Sequence, residues 1–184
     1  MSLIDDLLDV TRIESDKLLL RYAPFDLNML IGEVTDEVQR SFGQHQIIRE
    51  LGDSVTLQAD RERVGQVLTN LLTNAIKYSP RADRVIVRTM RDGDQVVVSV
   101  QDFGMGIPKR DQARIFERFY RIDDNDHAGI SGIGLGLYVA AEFVKRHGGR
   151  IWVESEVGQG TTVSFSLPLA GPTINQQERP AKPR

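Results

Sequence analysis

Apolar residues recur along this chain in two rhythms, one of three to four residues and one of two, and the changes of rhythm mark the elements. Leu3, Ile4, Leu7 and Leu8, then Ile13 and Leu18, predict an amphipathic helix from Ser2 to about Leu20 with an unusually apolar first half. A terminal helix with such a face needs cover, either from the main domain or from a second copy of itself in a dimer. Tyr22-Ala23-Pro24-Phe25-Asp26-Leu27 interrupts the pattern, because the proline disfavours helix at Ala23 and Asp26 is placed to cap the next one. Leu27, Leu30, Ile31, Val34 and Val38 carry that second helix from Asp26 to about Phe42. Ile47 to Leu51 and Val55 to Gln58 are rich in β-branched residues and are separated by Gly52-Asp53, which predicts a strand pair.

Asp60 opens the longest helix, which ends by Pro80. Val67, Leu68, Leu71, Leu72, Ala75 and Ile76 form its apolar face, while Asn70, Asn74, Lys77 and Tyr78 gather on an edge beside it. Amides and a lysine beside a core are costly without partners, so this edge either meets a polar ligand or hydrogen-bonds neighbouring loops. Arg84 to Met90 and Gln95 to Gln101 alternate and are joined by Arg91-Asp92-Gly93-Asp94, a hairpin signal. After Asp102 the chain is glycine-rich and irregular up to Leu135, apart from a short helix predicted near Gln112 to Phe119. Leu135 to His147 reads as a helix closed by Gly148-Gly149, and Ile151 to Ser155 and Thr161 to Leu167 as the last strands. The sum is an α+β two-layer sandwich: a mostly antiparallel, mixed sheet of about five strands with three helices on one face, preceded by an N-terminal helix. The expected divisions are a helical arm over 1–21, a main domain over 22–170 and a disordered tail over 171–184.

Composition narrows the function classes. A chain of 184 residues with 40% hydrophobic and 27% charged residues can bury one good core. The net charge of −3 argues against a nucleic-acid surface or a polybasic membrane patch, so an anionic ligand would need local positive potential. With no cysteine there is no disulfide, thiolate metal site or cysteine nucleophile, which fits a cytoplasmic protein. No apolar run approaches membrane-span length, and the start of the chain lacks a signal-type pattern.

Three glycine clusters follow the asparagine helix. Asp102-Phe103-Gly104-Met105-Gly106 stands where a strand ends, so a carboxylate is held at the sheet edge and glycines let backbone pass close to a flat ligand. Such a carboxylate can accept a hydrogen bond from an exocyclic amine, worth roughly 1.5–3 kcal/mol. Gly132-Ile133-Gly134-Leu135-Gly136 precedes a helix whose free N–H groups suit phosphates, and Gly158-Gln159-Gly160-Thr161 is a tight link between strands. Asp102-Phe103-Gly104 spells the metal-binding triplet of eukaryotic-type protein kinases, but no His-Arg-Asp loop accompanies it. The spacing Gly132-x-Gly134-x-Gly136 fits neither the dinucleotide fingerprint nor the P-loop.

Taken in order, the motifs resemble the catalytic ATP-binding domain of sensor histidine kinases. Asn70-Leu-Leu-Thr-Asn74-Ala-Ile-Lys77-Tyr78 is similar to the N box and Asp102-x-Gly104-x-Gly106 to the G1 box. Phe116-Glu-Arg-Phe119-Tyr120 is similar to the F box, Gly132-x-Gly134-x-Gly136 to the G2 box and Gly158-x-Gly160-Thr161 to the G3 turn. The resemblance covers about Asp26 to Pro168, and Leu3 through Glu14 further resembles the end of the second dimerisation helix. It implies the Bergerat fold of the GHKL ATPases, with ATP and Mg²⁺ as cofactors. On that basis Asp102 accepts the adenine amino hydrogen, Asn74 coordinates Mg²⁺, Asn70 supports the phosphate end, Lys77 contacts phosphate and Tyr78 lines the adenine or ribose side. Gly104, Gly106, Ile107, Gly132, Gly134, Leu135, Gly136, Leu137 and Thr161 complete the nucleotide site. Gly104 to Ser131 becomes a mobile ATP lid with Phe116 and Phe119 as apolar anchors, and Lys109, Arg118 and Arg121 could bring positive charge to the phosphates.

The family phosphorylates a histidine followed by an acidic residue, and none of His45, His127 and His147 has that context. The acceptor is therefore expected upstream, in a longer parent. The implied partners are the parent's own dimerisation and phosphoacceptor domain, a second copy in a homodimer, and the receiver domain of a response regulator. Two rivals stay open: another ATPase of the same fold, such as a serine-directed anti-sigma kinase, and a degenerate pseudokinase that only transmits signals through its helix.

Overall fold

Valine alternation in the central strands decides where the helices lie. Val96, Val98 and Val100 are 1%, 0% and 2% exposed, whereas Val97, Ser99 and Gln101 between them are only half-buried. One face of the sheet therefore meets the helices and the other meets solvent. The computed structural model describes residues 3–15, 18–43, 45–122 and 133–171; Gly132, His127 and positions 172–184, about which expectations were formed, lie outside the described residues.

The elements run α1 (Leu3–Glu14), β1 (Ala23–Asp26), α2 (Leu27–Ser41), β2 (Gln46–Leu51), β3 (Thr56–Ala59), α3 (Arg61–Lys77), β4 (Arg84–Asp92), β5 (Gln95–Asp102), α4 (Gly136–Arg146), β6 (Arg150–Glu156) and β7 (Gly160–Pro168). Five strands form one sheet in the order β2-β4-β5-β7-β6, with β2 parallel to β4 and the other pairs antiparallel. Helices α2, α3 and α4 pack on it around Leu27, Ile31, Leu68, Leu72, Val139 and Phe143, all 0% exposed. The α+β sandwich expected from the pattern is thus the observed architecture. Capping follows the sequence as well: the Asp26 side chain accepts from the Met29 N–H and Asp60 from the Arg63 N–H. Gly93, at φ +63, supplies the positive φ of the two-residue hairpin loop between β4 and β5.

Three expectations are corrected. The runs read as a strand pair are not partners, since β2 joins β4 while β3 joins β1 in a separate two-stranded sheet with Phe25 opposite Leu57. Local alternation announces a strand but not its neighbour, and Pro24 hides β1 from propensity. The helix predicted near Gln112 to Phe119 is a series of turns, tied by Asp111 N–H to Pro108 O at 2.8 Å and Glu117 N–H to Arg114 O at 2.8 Å. Helix α1 stops at Glu14 instead of continuing to about Leu20.

The cover for α1 comes from the main domain. Val10 and Ile13 are 4% and 5% exposed within the main core, while Leu7 and Leu8 remain 43% and 49% exposed. Buried Asp9 receives Arg63 Nη1 at 3.0 and 3.2 Å and Gln66 Nε2 at 2.6 Å, and Arg63 also lies over the Phe143 ring at 5.0 Å. Glu14 pairs with Arg118, and Arg146 Nη2 donates to Ile13 O at 2.9 Å. Among the described residues no helix is long and apolar enough to cross a membrane.

Candidate functional site

Strand β5 ends by carrying Asp102 to the mouth of a cavity of about 1050 Å³ between α3, the sheet and the start of α4. The carboxylate is 7% exposed, and its Oδ1 accepts two backbone N–H groups, from Gly104 at 2.9 Å and Thr161 at 3.2 Å. Oδ2 has no donor among the described residues and remains for a ligand. Burial pushes the carboxyl up to about 6, and the two N–H bonds oppose that rise. A value about 6 leaves it mostly ionised at neutral pH.

Close backbone approach explains the glycines around it. A Cβ on Gly104 would collide with Tyr78 O, and one on Gly106, at φ +72, with Glu156 O. The strand end, the C-terminus of α3 and the β6–β7 turn are thereby held together under Asp102. Thr161 adds a hydroxyl 2.9 Å from Ser155 Oγ, which in turn receives the Ile107 N–H at 2.8 Å.

Helix α3 contributes a second stretch of wall. Asn70 is buried and its Nδ2 donates to Gly136 O at 3.0 Å, so this amide braces α3 against the start of α4. Asn74, one turn on, lines the cavity and its side chain bonds no described residue. Lys77 forms no ion pair with a described residue; its ammonium sits 5.4 Å from the Tyr78 ring, and burial first, then the Arg121 charge, lower its pKa. Burial raises the Tyr78 phenol. Lys77 and Arg121 both line the cavity and are close enough for one charge to act on the other, so the wall carries two neighbouring cations in a chain of net negative charge. The N-cap of α4, Leu135, has no side-chain cap, and Gly134, Leu135, Gly136 and Leu137 line the cavity, so the first-turn N–H groups add positive potential to its wall.

The structure therefore brings together Asn70, Asn74, Lys77, Tyr78, Asp102, Gly106, Ile107, Thr161 and the Gly134–Leu137 turn. Gly104, Phe116 and Phe119 stand outside the cavity wall, and Gly132 lies outside the described residues. Phe119 is a correction to the apolar anchor expected of it: it is 52% exposed at φ +61, its N–H donates to Gly134 O at 3.0 Å, and its ring lies beneath Arg118. Ile115, 8% exposed and in the cavity wall, takes the inward place instead.

The first part of the proposed lid is also fastened down. Gln112 Nε2 donates to Ile107 O and Ser155 O at 3.0 and 2.8 Å, and Tyr120 donates to Asp111 Oδ1 at 2.7 Å. Of the span Gly104 to Ser131, the described part, 104–122, bonds its surroundings through Ile107 and Gln112 to Ser155 and through the Phe119 N–H to Gly134 O, and the rest lies outside the described residues. Sequence reasoning missed Ile115, Tyr120, Thr73 and the end of α2, where Glu37, Ser41 and Phe42 extend the cavity. Only the apolar run Ile115-Phe116 carried a usable signal, and it does not say which of the two faces inward.

Residues 59–171 match the family described as histidine kinase-, DNA gyrase B-, and HSP90-like ATPase. The circadian input-output histidine kinase CikA of Synechococcus elongatus is 36% identical over 173 residues, covering 91% of this chain and 23% of that protein. The sensor histidine kinase WalK of Bacillus subtilis is 35% identical over 170 residues, covering 90% of this chain and 28% of that protein. This chain thus spans about a quarter of the length of those relatives. Among solved structures, full-length ShkA in complex with AMPPNP superposes with a TM-score of 0.79 at 30% identity, over 92% of this chain and 36% of that one. The mycobacterial sensor histidine kinase MprB gives 0.71 at 28% identity, over 82% of this chain and 98% of that one.

Proposed function

The chain belongs to the histidine kinase-, DNA gyrase B-, and HSP90-like ATPase family, and we propose that it is the ATP-binding catalytic domain of a two-component sensor histidine kinase. The carrying observation is Asp102: a buried carboxylate with Oδ1 held by two peptide N–H groups and Oδ2 bonded by no described residue, in the wall of a cavity that also presents two cations and a helix N-terminus. Those groups suit a molecule that carries both an exocyclic amine and phosphates. Asp102 accepts from the adenine amine, and Tyr78, Ile107 and Thr161 line the base and ribose side. Lys77, Arg121 and the first turn of α4 receive the phosphates.

The residues present fit a magnesium ion. Among the described residues no cluster of carboxylates or histidines could hold a metal, but Asn74 offers one uncommitted amide oxygen beside the cations. A hard cation that keeps several waters and takes phosphate oxygens needs little more from the protein. When bound, Mg²⁺ neutralises charge on the β- and γ-phosphates. The chain's own contribution to phosphoryl transfer is positioning and electrostatics: Asp102 fixes the base, Asn70 fixes the spacing of α3 and α4, and Lys77 with Arg121 stabilises the charge that spreads over the transferred group.

The acceptor is a histidine outside these residues. His45 and His147 are 4% and 2% exposed and each bonds backbone, so neither can meet a γ-phosphate. The wider proposal is that the parent is a homodimer, that its own phosphoacceptor domain receives the phosphoryl group, and that a response-regulator receiver domain takes it onward. A cytoplasmic location for this domain follows from the same reading, because its ATP and its receiver partner are there. Calorimetric titration with a non-hydrolysable ATP analogue tests the site: magnesium-sensitive binding that Asp102→Ala abolishes supports it, and unchanged affinity in that variant removes Asp102 from the site.

A further inference from the structure

At the far ends of the two site helices, away from the cavity, His147 closes α4 and Asp60 caps α3. The imidazole Nε2 lies 3.0 Å from the Asp60 peptide N, and Nδ1 lies 2.7 Å from Phe143 O. A peptide N–H can only donate and a carbonyl can only accept, so the ring is neutral with its proton on Nδ1. Helices α3 and α4 are thereby joined by two hydrogen bonds, Asp60 N–H to His147 at one end and Asn70 Nδ2 to Gly136 O at the cavity end. The intervening ten or so residues of helix separate them by about 15 Å.

The same junction receives the segment that follows α1. Arg21 N–H donates to Asp60 Oδ2 at 2.8 Å, the Tyr22 hydroxyl donates to Arg146 O at 3.1 Å, and the Tyr22 ring meets His147 edge-on at 5.4 Å. Arg146 continues to Ile13 O, and Arg63, whose N–H bonds Asp60 Oδ1, continues to Asp9. One histidine acceptor thus stands where α1, its linker, α3 and α4 converge.

We propose that neutral His147 is a positioning residue: it sets the spacing of α3 and α4 across the nucleotide cavity and ties that spacing to the seating of α1. The functional consequence rests on the nucleotide reading of the cavity; the positioning itself does not. Protonation puts an N–H on Nε2 against the Asp60 N–H, so the junction is intact when the ring is neutral and opens as pH falls. Burial holds the ring below its ordinary value, against the Phe143 carbonyl bond and the Asp60 carboxylate, which favour the proton. The other charged groups at the junction are Arg63 from α3, Arg146 from α4 and Arg21 from the linker.

The test is a spectroscopic titration of the purified, ¹⁵N-labelled chain. The ring should show the Nδ1–H tautomer at pH 7.5, and the Asn70 side-chain amide should shift with the same midpoint as the His147 ring. His147→Gln, whose amide oxygen accepts the Asp60 N–H, should keep the Asn70 resonance in place and remove its titration. His147→Leu should displace that resonance at every pH and weaken binding of a non-hydrolysable ATP analogue about tenfold at pH 7.5. Asp102→Asn should leave the Asn70 titration untouched, which separates it from titration of the cavity carboxylate. An Nε2–H tautomer, or an Asn70 resonance unmoved in His147→Leu, overturns the proposal. A wild-type chain that binds no analogue while Asn70 still follows His147 overturns the nucleotide reading and leaves the positioning role standing.

Discussion

Asn70 donates its side-chain amide to the carbonyl of Gly136 at 3.0 Å, so the first asparagine of the α3 edge is a strut between the two helices that frame the cavity. Asn74, one turn further, bonds no described residue through its side chain and lines the cavity. Two identical side chains at helical spacing thus do different work, one bracing the wall and one lining the cavity.

Asn70→Asp should be worse than Asn70→Ala. Alanine removes one partly buried hydrogen bond, worth about 1 kcal/mol, while aspartate sets a carboxylate against the Gly136 carbonyl and leaves it buried without a donor. Thermal denaturation should place the variants in the order wild type, alanine, aspartate. Equal midpoints for the two variants would remove the strut.

Asp102 should trade stability for binding. Its folded pKa, about 6, lies above the ordinary carboxylate value of 3.8, so the folded protein binds the extra proton more readily and this group's contribution to stability rises as pH falls from about 7 to 4. At pH 7.5 the ionised buried carboxylate costs on the order of 3 kcal/mol. Asp102→Asn should therefore raise the melting temperature at pH 7.5 while losing at least tenfold in ATP-analogue affinity. In the wild type that affinity should weaken below pH 6, and a melting temperature lowered in Asp102→Asn would contradict the burial argument.

Lys77→Met should discriminate among nucleotides. If the ammonium meets phosphate, affinity for the triphosphate analogue drops about tenfold, roughly 1.4 kcal/mol, and adenosine binding is nearly unchanged. A uniform loss across both ligands would instead place Lys77 beside the base. The lowered pKa of Lys77, caused by burial and the Arg121 charge, should rise when phosphates neutralise that charge.

The two ion pairs that seat α1 should differ in worth. Arg118 and Glu14 are each half exposed, so Arg118→Ala should cost under about 1 kcal/mol. Asp9→Ala strips a buried partner from both Arg63 and Gln66 and should cost about 3 kcal/mol by chemical denaturation. Comparable losses in the two variants would mean that the Asp9 cluster is no more desolvated than the surface pair.

Much of the fold was legible because its signals are local. Val96, Val98 and Val100 alternate, Leu68, Leu71 and Leu72 recur at helical spacing, and Asp26 and Asp60 stand where helices need acceptors. Strand partnership was not legible. Nothing in Ile47–Leu51 or Thr56–Ala59 says that the first lies parallel to β4 and the second against β1, because ladder bonds join backbones and carry no residue code.

By itself the sequence determined the elements, their order, and a polar edge of asparagines and lysine beside a greasy face. It also determined, through Asp102, Gly104, Gly106 and the Gly134–Gly136 turn, that a carboxylate and close-packed backbone would meet. Tertiary structure alone decided that Asn70 braces Gly136, that Phe119 turns outward while Ile115 turns in, and that His147 accepts from Asp60. Each is a contact across tens of residues, or a choice between neighbours with the same local propensity. Periodicity is set within one turn of chain, whereas a hydrogen-bond partner or an inward rotamer is set by whatever the folded backbone has brought alongside.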